Sequence, residues 1–589
     1  MAISSEPTSD TEPKVTLSAS PADPPPAETG DPKRWQALLV LLVAAFLDML
    51  DSTVANVAAP SMQRGLHAGY SAIQWVLVGY QLAFALMLIL GGRLGDIFGR
   101  KKVFLIGVVG FTAFSLASGC AQAPWQLVAA RVAQGAFAGV MVPQVMSIIH
   151  VTFSAKEKGT AFALYGSISG LAATIGLAAG GLLVDWNLFG LDWRIIFLIN
   201  VPVGIAGAIY GAKVIRESKA SSALRLDGFG LLLITLGVVM FIYPLLQGRE
   251  LGWPVEGFVS MGLSVPVLVG FVLWQRRRIS NGSSPLVEMS MFRIRSFSSG
   301  LAANLAFYIG MGMFSIAWTL YMQIGQGWSP MHAGLTSLFF CIGAFFASTG
   351  SLMVLVPKFG RKVLHIGAVV LVAGLLGYIW VAGHYGSSIH SWQLGLPLFV
   401  IGIGFGAVAT PLPVIIIGDV PHQDAGSASG LVHTDIQLGF AIGGALVSVV
   451  FFGGLAASTG ASVDHITPQL RQDLVSTASV TPGQVDSVVA AYRNCTVDRS
   501  KEKDPSTVPG SCTSVPALQD PKVAAVLGSA TKTVTGDAFA DSMQASLWTF
   551  GGIVALVFLL MFAIPQKAPE QTFEDGELSG AAEGAVATA

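Results

Sequence analysis

Apolar residues in this chain gather into long runs, without the short alternations of strands or the two-sided pattern of soluble helices. A helix needs roughly 20 such residues to cross about 30 Å of hydrocarbon. Runs of that kind predict fourteen spans, at 35–57, 72–92, 103–121, 125–149, 160–184, 195–214, 228–246, 256–274, 298–322, 332–356, 363–383, 392–417, 426–453 and 545–564. The pattern lapses in three places. Residues 1–34 hold seven prolines among Ser, Thr, Asp and Glu, predicting a disordered tail with no cleavable signal. Residues 565–589 read as a second tail, and 454–544 as a long polar connection between the last two spans.

Short connections after even-numbered spans carry eighteen Lys and Arg, against only Arg64, Arg194 and Arg249 on the other side. Basic loops stay in the cytoplasm, so both termini are expected there, in an inner or plasma membrane. Composition agrees: 53% of residues are hydrophobic and 11% charged, with mean hydropathy +0.65. A soluble surface would need about 25% charged residues. Net charge is -1, which offers no field for nucleic acid. Cys495 and Cys512 share the long external connection and are expected to form a disulfide there. Cys120 and Cys341 fall in spans, and no His/Cys/Asp/Glu spacing predicts a metal.

The chain repeats itself. FGRKKVFLIG begins at Phe98 and FGRKVLHIG at Phe359, 261 residues apart; GSISGL begins at Gly166 and GSASGL at Gly426, 260 apart. That offset covers eight spans. It predicts a six-helix bundle (35–214), a two-helix insert with its linkers (215–297) and a second six-helix bundle (298–564). A shift by an even number of spans keeps orientation, so the halves are parallel repeats with a ligand path between them.

Two stretches carry a family resemblance. Gly92 to Lys102, GRLGDIFGRKK, is similar to the signature between spans 2 and 3 of the major facilitator superfamily. LDSTVANVAAP from Leu50 and WRIIFLINVPVG from Trp193 resemble the fourteen-span drug:proton antiporters of that superfamily. The resemblance implies a proton-driven exporter of lipophilic or cationic small molecules, with no cofactor and no enzymatic activity. An exporter of an endogenous lipid, siderophore or secondary metabolite is the alternative, and a non-transporting receptor a remote one. It further implies a gating latch from Gly92, Arg93, Gly95, Asp96, Gly99, Arg100 and Lys101. Gly170, Gly176, Gly180 and Gly181 are expected to pack span 5 closely, although Leu177 stands where the family usually has proline. The protein is expected to act as a monomer among membrane lipids.

Charge inside the membrane is costly, at about 2.5–3.5 kcal/mol per group, and its retention points to function. Asp48 and Asp51 lie on one face of span 1, and Arg131 lies in span 4. Counted at 1.5 Å per residue, Asp51 and Arg131 are both roughly 10 Å below the outer surface. They are predicted to interact and to couple transport to a proton, with Arg131 as counter-ion. His433 and Asp435 add embedded polarity in span 13. A stripe of Asn304, Tyr308, Met311, Ser315, Trp318 and Met322 on span 9, with Trp75, Tyr80 and Gln81 on span 2 and Asp435, is expected to line a substrate cavity.

Overall fold

The computed structural model describes residues 32–219, 226–283, 285–421, 425–476, 480–502, 508–513 and 520–564. Most of both expected tails lies outside them. No strand occurs among the described residues. Thirteen helices take the places of the first thirteen spans. They are α1 (Arg34–Leu66), α2 (Tyr70–Phe98), α3 (Arg100–Gly119), α4 (Pro124–Thr152), α5 (Ala155–Trp186), α6 (Asn200–Val214) and α7 (Gly228–Leu251). Then come α8 (Val255–Ser280), α9 (Arg295–Leu320), α10 (Pro330–Gly350), α11 (Lys362–Tyr385), α12 (Ser391–Gly418) and α13 (Ala425–Val450). Three helices and a final long one follow: α14 (Leu455–Ser476), α15 (Pro482–Lys501), α16 (Gly510–Thr513) and α17 (Pro521–Met561). Thirteen described helices are long and apolar enough to cross a membrane, and α5, of 32 residues, stands where the fifth span is expected. The chain is a multi-pass membrane protein.

The repeat is visible in backbone detail. Phe98 ends α2 and Gly99 turns the chain at φ 107°; the matching Phe359 is followed by Gly360 at φ 54°. Both turns need a positive φ, which glycine adopts without strain. Closer packing repeats as well. Gly135 and Gly139 of α4 lie on the carbonyls of Tyr80 and Phe84 in α2, where an added Cβ would sit 2.2 and 2.5 Å from the oxygens. Gly402 and Gly406 of α12 lie likewise on Phe340 and Ala344 of α10, at 2.1 and 2.4 Å. Small residues four apart let helices touch in lipid, where no hydrophobic force drives them together. A third echo is Trp125-Gln126-Leu127 against Trp392-Gln393-Leu394. Gln126 Oε1 accepts from Ala123 N (3.3 Å) and Gln393 Oε1 from His390 N (2.8 Å), each closing the first turn of its helix.

Helices α7 and α8 stand outside the repeat. Only 11% of the most apolar stretch of α8 is buried, so it sits at the periphery. Asp227 anchors this hairpin: its carboxylate accepts from Gly230 N (2.9 Å), Trp274 Nε1 (3.0 Å) and Gln275 Nε2 (2.7 Å), with Arg278 Nε 3.6 Å away.

The connection over 454–544 needs a correction. In place of a loop over 454–544 followed by a span at 545, the chain folds α14 and α15 and starts the last helix at Pro521. Leu470, Leu474, Val485, Val488, Val489, Val523, Val526 and Leu527 pack as a small core of their own. These residues are spaced at three and four and separated by polar ones, a soluble two-sided pattern that a search for unbroken apolar runs passes over. Cys495 and Cys512 are bonded across it.

A valine at Gly139 or at Gly406 would drive its Cβ into a backbone carbonyl, an overpacking cost of roughly 1–3 kcal/mol. Both substitutions are expected to lower the melting midpoint of the purified protein by similar amounts. An unchanged midpoint for either would contradict the paired packing.

Candidate functional site

The embedded charges meet. Asp51 Oδ2 lies 2.5 Å from Arg131 Nη1. Its other oxygen accepts from Gln134 Nε2 (3.0 Å) and Asn200 Nδ2 (2.8 Å). Arg131 also donates to Gln134 Oε1 (2.8 Å), and its guanidinium lies 4.1 Å over the Tyr80 ring. Tyr80 in turn donates to Asp48 Oδ1 at 2.6 Å. Asp48, Asp51 and Arg131 are each at most 2% exposed. Each charge therefore has a partner, as burial demands.

Helix geometry explains the convergence. Asp48 and Asp51 are three apart on α1, and Arg131 and Gln134 three apart on α4, so each pair shares a face. Asn200 enters from the first turn of α6, steered by a bond to Ser115 Oγ (3.0 Å). Gln134 and Asn200 did not stand out in the sequence as site residues. The signals were present: Gln134 lies one helical turn after Arg131, and Asn200 lies inside the WRIIFLINVPVG stretch.

Residues 92–102 build a tight corner. Gly95 faces Gln144, whose Nε2 donates to Gly91 O at 2.7 Å. Asp96 pairs with Arg100 (2.9 Å), one turn away. Glu217 accepts from Lys101 N and Lys102 N, and Lys101 Nζ donates to Ala212 O (2.7 Å). Arg93 Nη1 is buried without a partner. These bonds tie the corner to the last turn of α6 and to the chain just after it. In α5, Gly176 faces Thr53 and Gly180 faces Val54 of α1, while Gly181 meets Pro330 at the start of α10. Gly170 lies in the same helix.

A chamber of about 870 Å³ opens at the basic end of the molecule, lined by α2, α7, α8, α9, α13 and the segment 287–293 that precedes α9. Its lining is mostly apolar, with a buried Asp435, a half-buried Glu288 and the exposed Arg276 and Arg293. Of the expected cavity residues, Asp435 lines it, and Asn304 stands behind, donating to Asp435 Oδ2 at 2.8 Å. The others point elsewhere. Trp75 packs at a tilt against Tyr243 of α7, ring centres 6.1 Å apart, and Tyr80 belongs to the charge cluster. Tyr308 packs on Phe307 and Phe440, while Trp318 and Gln81 are buried. Spacing along α9 identifies its buried face but not its neighbour, which is largely α13 and α17 rather than open space.

Three hydrogen bonds join the two halves among the described residues, all at the end opposite the chamber. Gln323 Nε2 donates to Val57 O (2.7 Å), Ser448 Oγ to Gln74 Oε1 (2.5 Å), and Met331 N to Asp185 Oδ2 (3.1 Å). Gln323 reaches across from a π-helical turn, Tyr321–Gly325, that ends α9. The molecule is thus closed at that end.

No group of three His, Cys, Asp or Glu side chains is placed to hold a metal among the described residues. A double-mutant cycle on Asp51→Asn and Arg131→Gln is expected to give a coupling energy of about 0.5–3 kcal/mol in melting experiments. Additive changes would mean that the two residues do not act as a unit.

Comparison with known proteins draws these features together. Residues 41–444 match the family model of the Major Facilitator Superfamily. The chain is 40% identical over 554 residues to the probable actinorhodin transporter of Streptomyces coelicolor, covering 93% of this chain and 94% of that one. It is 34% identical to a puromycin resistance protein of Streptomyces alboniger (75% and 87% covered). It is 30% identical to the tetracenomycin C resistance and export protein of Streptomyces glaucescens (71% and 76%). Among solved structures, an inward-facing, unoccupied bacterial homologue of the lysosomal transporter Spinster has the same fold, with TM-score 0.56 at 15% identity, covering 90% of this chain and 98% of that one. With its repeated six-helix halves and its GRLGDIFGRKK turn, this chain belongs to the Major Facilitator Superfamily, and is a transporter and not an enzyme.

Proposed function

We propose that the protein exports lipophilic small molecules from the cell, driven by protons moving inward through the Asp51 cluster. The observation that carries this reading is a buried carboxylate held by one arginine and two amides inside a Major Facilitator transporter. The excess of Lys and Arg supports placing the basic end, both termini and the mouth of the chamber in the cytoplasm. The three inter-half bonds then seal the outer side, and substrate enters from within.

Ionised Asp51 satisfies Arg131, Gln134 and Asn200 together. A proton on it removes the negative charge that Arg131 needs, while the guanidinium itself stays charged. The consequence is transmitted along one rigid helix. Val57, whose carbonyl takes the Gln323 bond, lies on α1 six residues beyond Asp51, roughly 9 Å along the axis. A shift of α1 on protonation therefore acts on the outer seal and on the α5 glycines packed against Thr53 and Val54. Substrate occupies the apolar chamber, with Asp435 available to a cationic group. The paired packing of each half lets the halves rock as bodies. The protein works as a monomer.

Dedicated export of a secondary metabolite is the second reading. The actinorhodin transporter relative covers 93% of this chain, a share that must include most of the external helical unit. A broad drug exporter has no evident need of that unit.

Proteoliposomes with an imposed pH gradient and an internal pH-sensitive dye test the proposal, with lipophilic cations and neutral aromatics added one at a time. Wild type is expected to move protons on substrate addition, and Asp51→Asn to lose this response while still folding. Equal proton movement in both would remove Asp51 from the mechanism.

A further inference from the structure

A second chamber, of about 610 Å³, lies outside the transport path, between the external helical unit and the outer ends of α2 and α9. Tyr70 and Ile324 form its floor, and Tyr492, Leu527 and Phe539 contribute to its walls. Among the described residues lining it, Arg499 is the one charged residue and none is a carboxylate. No ion pair to Arg499 occurs among the described residues.

Tyr70 also borders a small pocket of about 20 Å³ where α1, α2 and α9 meet at the sealed end of the path. Tyr70 packs on Phe452 at 4.7 Å between the two spaces. Arg249 holds this ring pair, its guanidinium 4.7 Å from the Phe452 ring and 5.4 Å from Tyr70. Around the ring pair, buried donors go unanswered. Gln63 Nε2 and Gln74 Nε2 in the small pocket and Arg249 Nη1 have no hydrogen-bond partner. Such groups normally find an acceptor, and leaving one unmade costs about 1–3 kcal/mol. The route is therefore aromatic and carries unanswered donors, with a cation at its far end.

We propose that the external chamber is a binding site for lipophilic aromatic anions, which leave the path past the Tyr70–Phe452 pair and are held by Arg499 before release. The binding follows from the lining alone; only the direction of passage rests on the export reading. Charge complementarity selects the anion, because a cation would face Arg499 with no counter-charge among the described residues of the lining. A carboxylate or phenolate on a fused ring system matches the space, stacking on tyrosine rings while its acceptor meets the guanidinium.

The test is equilibrium binding of 9-anthracenecarboxylate and of neutral 9-anthracenemethanol to the full-length protein in nanodiscs of zwitterionic lipid. Wild type is expected to prefer the anion by about tenfold, the scale of a hydrogen bond to a charged group. Arg499→Gln should erase that preference. Gly528→Leu, at a position on α17 with nothing within 4 Å of an added Cβ, should fill the chamber and weaken both ligands. Anion binding that neither substitution alters would overturn the proposal. Loss of probe binding in nanodiscs containing anionic phosphatidylglycerol would also overturn it, because the chamber would then be a lipid headgroup site. No gradient or transport enters this assay. A protein that failed the proton experiment would still be tested by it, and failure here would leave the proton reading standing.

Discussion

Burying Asp51 and Arg131 together sets the terms for the first half of this molecule. Neither charge could be retained alone in the bilayer, and their distance of 2.5 Å demands that α1 and α4 lie face to face at one depth. The remaining lone pairs and N–H groups then need partners, which Gln134 supplies from α4 and Asn200 from α6. Tyr80 fills the space beneath the guanidinium and hands its hydroxyl to Asp48. Four helices are positioned by one polar cluster.

Glycine does the complementary work. In lipid, helices gain nothing from hiding apolar surface, so they associate by close approach. The Gly135/Gly139 and Gly402/Gly406 pairs bring backbones together in both halves at equivalent places. A rigid pair in each half lets motion concentrate where the halves meet. The hydrogen bonds there are few, three among the described residues and all at one end, while α2 packs along α13 and α5 along α10 through apolar side chains.

Much of this was legible in the sequence, for physical reasons. Spans show because hydrocarbon demands unbroken apolar runs. The repeat shows because two short matches share an offset, and Gly99 and Gly360 do turn the chain in the same way. The Asp51–Arg131 contact was readable because depth follows from residue count. The external unit was hidden because its core residues, such as Val485, Val488 and Val489, are spaced for a soluble helix. The cavity was misread for another reason. Asn304, Tyr308 and Trp318 mark the buried face of α9, and a single helix cannot reveal whether that face meets space or another helix. The amides around Asp51 needed three dimensions, since Asn200 lies 149 residues from it.

The central claim is that the charge on Asp51 sets which end of the molecule is open. Spin labels on exposed His67 and His390, at the end of the two halves opposite the chamber, would report the distance across that end in a background lacking Cys120 and Cys341, the two cysteines outside the disulfide. The distance distribution of the wild type should shift between acid and alkaline buffer, and that of Asp51→Asn should stay fixed in one state. An equal pH-dependent shift in both proteins would contradict the claim and place the controlling proton elsewhere.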